Sequence, residues 1–290
     1  MRVPTLPSYL QGIVDKEQKN GRFVLTCSYQ LELRATVSRS LVGRAGLLHL
    51  LQLSIEELTQ SGLTLDGFED YVVHGFLPRV HSQNPRHFQT YANYYQTYIE
   101  LDVRQLIELK DVSLFEKFIK LPAGRVGQLM DYQALSSAVG VIAKTIKQRL
   151  SVLEASYVVV KLPPYVENFG KRVVKLPKYF FTDAGLLAYS LGLETPSQVL
   201  RDTLLGSIFQ KPFVIEVLKQ RCKSGYDTNL YFFRDSNGSE IDLLCKTRNG
   251  LVGIEIQAAF TRHGKLAKQH VRFAANNHPL NQSLVVYKGV

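Results

Sequence analysis

The chain has 290 residues, a formal net charge of +10, 45% apolar and 21% charged residues. That length gives room for two or three compact units, and the composition is that of an ordinary folded protein rather than a disordered or fibrous one. No apolar run approaches the roughly 20 residues that span a bilayer. The opening MRVPTLPSYLQ lacks the apolar core of a signal peptide, and Cys27, Cys222 and Cys245 offer neither CxxC spacing nor a disulfide framework. A cytoplasmic location without membrane contact is expected, and the positive charge favours a polyanionic partner such as DNA.

In chain order, PSYLQGIVDKEQKN (7–20) predicts an amphipathic helix, RFVLT (22–26) a strand, LELRATVSRSL (31–41) a helix and AGLLHLLQL (45–53) a strand. Ser54 and Glu57 then have capping-box spacing before a new helix. This alternation is that of the end of a parallel α/β sheet. A GxxxxGK[ST] phosphate loop occurs nowhere. GFLPRVHSQNPRHFQ (75–89) reads as a join between modules, and its histidines with His74 lack metal-site spacing. YANYYQTYIELDVRQLIEL (91–109) follows as a helix with an aromatic side.

The middle of the chain predicts helix, short helix, a turn at Gly140 and a longer helix over 142–157, the order of a helix-turn-helix. Strands over YVVVKL (157–162) and RVVKLPKYFF (172–181) complete a winged-helix reading. Lys144, Lys147 and Arg149 fall on the recognition helix, and Lys161, Lys171, Arg172, Lys175 and Lys178 on the wing, where they would meet backbone phosphates. The alternative is a protein-interaction module whose lysines guard a solvated strand edge.

After helices over 182–192 and 206–222 come three strands, a helix over 264–276 and a last strand. Strict alternation along GSEIDLLCK places Ser239, Ile241, Leu243 and Cys245 on one face, and Glu240, Asp242, Leu244 and Lys246 on the other. Beyond the Arg248-Asn249-Gly250 turn, Glu255 and Gln257 point away from Val252, Ile254 and Ile256. In a hairpin Asp242 and Glu255 converge, and two carboxylates on adjacent strands suit Mg²⁺. The plain alternative is a polar sheet face that meets solvent.

These last strands resemble the PD-(D/E)XK nuclease fold, in which the second acid is followed, after one intervening residue, by a lysine that serves the attacking water. Gln257 stands at that place, and Gln210 stands where the preceding helix would carry an acid. The resemblance therefore implies a degenerate site of Glu240, Asp242, Glu255 and Gln257, with Asp242 and Glu255 as the metal ligands. Glu216, Lys246, Lys265 and Lys268 are candidate replacements for the missing charges.

The run from Ser8 to Leu58 looks like the latter part of the AAA-like ATPase domain of a large family of prokaryotic "ATP-binding proteins". Tyr98 to Phe260 resembles the domain of unknown function that follows it there, with Tyr98 and Arg104 at family positions. In that family Walker A and Walker B segments precede an Arg-Val-Pro, found here as Arg2-Val3-Pro4. The resemblance implies a chain that starts after the catalytic acids, so ATP binds the intact family and is not expected to bind this chain. Ser28 matches a sensor-like polar residue and Arg44 the arginine of an SLxGR motif, both as a nucleotide-associated remnant.

The expected architecture is α/β throughout. It comprises an AAA remnant over 1–75, a linker and connecting helix over 76–110, a winged helix over 111–182 and a nuclease-like domain over 183–290. Three functions compete: a non-hydrolysing family member whose C-terminal module binds DNA or a partner, a Mg²⁺-dependent nuclease, and a noncatalytic interaction module. The unpaired strands of the remnant also predict a protein partner or a homo-oligomer through the exposed sheet edge.

Overall fold

A computed structural model describes residues 6–17, 19–26, 41–82, 86–103, 112–166, 174–236, 238–258, 273–274 and 279–288. It divides into two compact units, Met1–His49 and Leu50–Val290.

In the first unit, α1 (Leu6–Glu17) buries Pro7 and Leu10. Arg44 reaches back to it, with Nη2 3.1 Å from Asp15 Oδ2. The predicted strands, 22–26 and 45–53, form no ladder, which corrects the sequence reading. A strand is stable only beside another, and no described residue offers these segments one. Their apolar side chains stay in solvent, Val24 at 86% and Leu48 at 78% exposed. Ser28 and most of the predicted second helix lie outside the described residues.

The second unit opens with α2 (Ile55–Gln60), which has both halves of the predicted capping box. Ser54 Oγ accepts from the Glu57 N–H at 3.2 Å, and Glu57 Oε2 accepts from the Ser54 N–H at 2.8 Å. The stretch read as a join carries α4 (Pro78–Ser82) after α3 (Phe68–His74), and it buries Phe76 and Val80. α5 (His87–Tyr94) continues as a π-helical segment over Tyr95–Val103. The Tyr98 hydroxyl donates to the Ser156 carbonyl at 3.1 Å.

α6 (Val112–Ala123), α7 (Tyr132–Val139) and α8 (Ala143–Ala155) follow. Asp131 caps α7 by accepting from the Gln133 and Ala134 N–H groups. Gly140 ends α7 at φ 75° and ψ 28°, a left-handed position that glycine adopts without a Cβ clash, and this turns the chain into α8. The antiparallel pair β1 (Val159–Leu162) and β2 (Lys178–Phe181) comes next, with Val159 opposite Phe181.

α9 (Ala184–Leu191), α10 (Pro196–Arg201) and the long α11 (Leu205–Lys223) lead into a four-stranded sheet. Its order is β3 (Leu230–Arg234), β4 (Glu240–Thr247), β5 (Gly250–Gln257), β6 (Leu280–Tyr287). The first two pairings are antiparallel and β5–β6 is parallel. Ile208, Val214, Ile215 and Leu218 of α11 share a buried cluster with Leu243, Cys245 and Ile256. Phe233, Ile241, Leu244, Leu251 and Phe273 form a second cluster. The fold is α/β, as expected, and one buried cluster takes in residues from Val72 to Ile256.

Candidate functional site

The sheet departs from strict alternation where the chemistry lies. Tyr231 faces Leu244, but Phe233 faces Ile241, so β4 carries one residue more than β3 across this interval. Such a bulge turns the side chains beyond it to the other face. Ile241 accordingly joins Leu244, three residues away, in the second cluster. Asp242 is turned with Leu243 toward α11, which corrects the face assigned to it by alternation.

On the other side, the β4–β5 pairing ends at Leu243 opposite Ile254, and Asp242 and Glu255 are the next residues along the two strands. Their carboxyl groups hydrogen-bond to each other. Asp242 Oδ1 accepts from Gln210 Nε2 at 2.9 Å, and Oδ2 accepts from the Ile256 N–H at 2.8 Å. Glu255 is only 4% exposed, so this part of the sheet does not meet solvent as a simple polar face would. Burial and the neighbouring Asp242 charge push the Glu255 carboxyl up to about 9, and burial raises Asp242 as well. The pair therefore holds a shared proton at neutral pH.

Convergence of the two acids was legible in the sequence; their chemical state was not. Both Asp242 oxygens are occupied by N–H donors and Glu255 is spent on Asp242. Among the described residues no group of three or more His, Cys, Asp or Glu is placed to hold a metal ion. As arranged, the pair does not fit a resident Mg²⁺, which needs open carboxylate oxygens.

A cation that sequence reasoning misplaced completes the site. Lys178, assigned above to a solvated wing, is 3% exposed. Its Nζ lies 2.5 Å from Glu240 Oε1 and 5.1 Å from the Phe232 ring centroid. Arg234 Nη1 approaches the other oxygen of Glu240 at 3.3 Å. The Lys178 charge works against the upward shift of both Asp242 and Glu255. Lys178, Arg234, Glu240, Ser207, Gln210 and Gln128 are among the residues lining an open groove of ≈ 400 Å³. No spacing signal connects residue 178 to residue 240; only the folded chain brings them together.

The other candidates fall elsewhere. Gln257 Oε1 is buried and accepts no hydrogen bond among the described residues. Glu216 binds Lys219 and the Ile55 N–H rather than replacing an acid at Asp242. Lys246 is exposed opposite Leu251, at the far end of the β4–β5 pairing, and Lys265 and Lys268 lie outside the described residues. On α8, Lys144 and Lys147 are exposed, as is Lys175 before β2. Arg149 is turned inward instead. Its guanidinium lies 5.8 Å from the Phe118 ring centroid, burial lowers its pKa, and Nη1 is buried without a partner among the described residues. Lys171, Arg172 and Arg104 are outside the described residues.

Comparison with known proteins divides the chain in three. Residues 1–59 match an AAA domain, 65–197 a domain of unknown function (DUF8612) and 205–290 a second domain of unknown function (DUF4143). The chain thus joins an AAA-like segment to two domains of unknown function. It is 27% identical over 288 residues to the uncharacterized protein Rv2008c of Mycobacterium tuberculosis and, equally, to the uncharacterized protein Mb2031c of Mycobacterium bovis. Those alignments cover 99% of this chain and 63% of each relative, so the chain spans less than two thirds of their length. No solved structure matches. No helix among the described residues is long and apolar enough to cross a membrane.

Proposed function

We propose that this chain is a non-hydrolysing relative of AAA-like ATPases whose second unit binds duplex DNA through α7 and α8. The observation that carries this reading is the charge of that surface. Residues 132–153 contain Lys144, Lys147 and Arg149 and no acidic residue, and Lys144, Lys147 and Gln148 are exposed beside the exposed small residues Ser137, Ala138 and Gly140. Lys144 and Lys147 are exposed on α8, whose one carboxylate, Glu154, lies in its last turn, and such a face is suited to the DNA backbone. The segment carries no phosphate loop, which supports leaving nucleotide hydrolysis out.

The test is binding of the full chain to labelled duplex DNA across a salt series. Affinity is expected to fall steeply with salt, and Lys144→Ala and Lys147→Ala should each reduce the slope by about 1. Absence of salt-dependent binding would leave a protein partner as the better reading of this face.

A second reading is favoured by the groove that Gln210, the partner of Asp242, helps to line: cleavage of a phosphodiester strand, with Mg²⁺ recruited together with the substrate. It requires DNA cutting in Mg²⁺ or Mn²⁺ that EDTA and Asp242→Ala both abolish. Binding without cutting would support a nuclease-like frame whose chemistry was lost with the charges at 210 and 257.

A further inference from the structure

The AAA-domain match runs to residue 59, yet the unit that contains the acid pair begins at Leu50. Residues 50–59 are AAA-like by sequence and part of the second unit by packing. α11 holds them there. Lys219 Nζ donates to the Leu53 carbonyl at 2.6 Å and pairs with Glu216 Oε1 at 2.8 Å. Glu216 Oε2 accepts from the Ile55 N–H at 2.9 Å. Lys223 donates to Ser54 Oγ at 2.7 Å and pairs with Glu57 at 2.9 Å, and Gln220 Nε2 donates to Glu56 at 2.6 Å.

This surface is chemically committed to its occupant. Lys219 is 1% exposed, with Nζ 3.8 Å from the Phe76 ring centroid. A buried ammonium that lost the Leu53 carbonyl would find no water to replace it. Ser54 is itself fully buried, and Leu58 packs with Tyr71, Phe76 and Ala184.

The same helix holds the acid pair through Gln210, and Pro212 stands between the two contacts. Proline has no N–H for the Ile208 carbonyl, four residues back, so the helical ladder is interrupted where the two halves meet. Leu205–Lys211 faces the acid pair with Gln210; Pro212–Lys223 carries the anchor.

We infer that the Pro212–Lys223 half of α11 is the docking surface for the AAA-like residues 53–57, and that their docking sets the contact between Gln210 and Asp242 across the Pro212 junction. This does not depend on DNA binding. Because coupling between two sites is reciprocal, weakening either contact must loosen the other.

Amide hydrogen exchange on the full chain tests this. Ser54→Ala/Glu57→Ala removes the cap and the Lys223 pairing. Exchange is expected to quicken about 5-fold or more at residues 53–58 and also at the Ile256 amide, which Asp242 holds, while α8 is unchanged. Gln210→Ala is expected to quicken residues 53–58 in return. Faster exchange at 53–58 alone in the first variant, or no change there in the second, overturns the inference. If the first variant loosens α8 too, Gln220→Ala, which removes only the contact to Glu56, decides by the same readout. A rise at both 53–58 and Ile256 then upholds the coupling, and a rise confined to 53–58, or none, overturns it.

Discussion

Gln210 Nε2 donates to Asp242 Oδ1 at 2.9 Å, so the helix and the strand that would each supply an acid in a nuclease meet as amide and carboxylate. Reversing this one group tests what the amide does. Gln210→Glu sets a third carboxylate against a pair that already shares a proton, and it removes a donor from Asp242. Without divalent ions a loss of about 2–4 kcal/mol in unfolding free energy is expected. Mg²⁺ or Mn²⁺ should restore the variant's Tm and leave the parent chain unchanged; an equal gain in both would show that Asp242 and Glu255 bind the ion unaided.

Glu255 gives the chain a pH dependence of definite sign. Its native carboxyl titrates at about 9, well above the ordinary value of about 4.3 that it regains on unfolding. Between these limits the native state binds more protons, so the contribution is full at low pH and is lost as pH rises toward 9. The slope is at most about 1.4 kcal/mol per pH unit. Glu255→Gln retains an amide donor for Asp242 and does not ionise. Its stability relative to the parent chain, from denaturant melts, should rise steadily from about pH 5 to pH 9. Parallel curves would count against the shared proton.

Lys178 is the cation whose charge opposes the upward shift of both acids, and Glu240 is its direct partner. Lys178→Met takes one cation from Glu240, keeps Arg234 beside it and withdraws positive charge from the acid pair. A loss of about 3 kcal/mol is expected from the broken buried pair. The double variant Lys178→Met/Glu240→Gln should lose less than the two single losses combined, as a double-mutant cycle would report for groups in contact.

Gly185 lies where the chain passes closest to Tyr91. A Cβ there would sit 2.1 Å from Tyr91 Cε2, and Tyr91 is 1% exposed with its hydroxyl engaged to Asp183. Gly185→Ala is expected to cost about 3 kcal/mol or more, because neither ring nor backbone can retreat. Gly206→Ala in α11, where a Cβ meets nothing within 4 Å, should instead stabilise by about 0.5–1 kcal/mol. Thermal melts of the two variants should move in opposite directions.

Much of the local structure was legible because its causes are local. The Ser54 and Glu57 box and the Gly140 turn each depend on a few neighbouring residues and stand as the sequence predicts. The two strands of the AAA-like segment were misread for the opposite reason. Their apolar composition favours a sheet, but a strand is completed by its neighbour, and none is present among the described residues. At the candidate site the convergence of Asp242 and Glu255 followed from period and turn, whereas the face they turn to did not. A single extra residue in β4 between Ile241 and Leu244 broke the alternation, and sequence alone carries no mark of a bulge that depends on the partner strand.

The sequence by itself determined the succession of α6, α7 and α8, the two glutamines in place of charged groups, and the acid-free cationic stretch at 132–153. Those are properties of residue type and spacing. The tertiary structure decided that Lys178 is buried against Glu240, that Arg149 turns inward, that Asp242 and Glu255 share a proton, and that α11 holds both this pair and residues 53–57. Charge and hydrogen bonding in a buried site depend on which distant groups arrive there and how much water they displace, and both are settled only when the chain has closed around them.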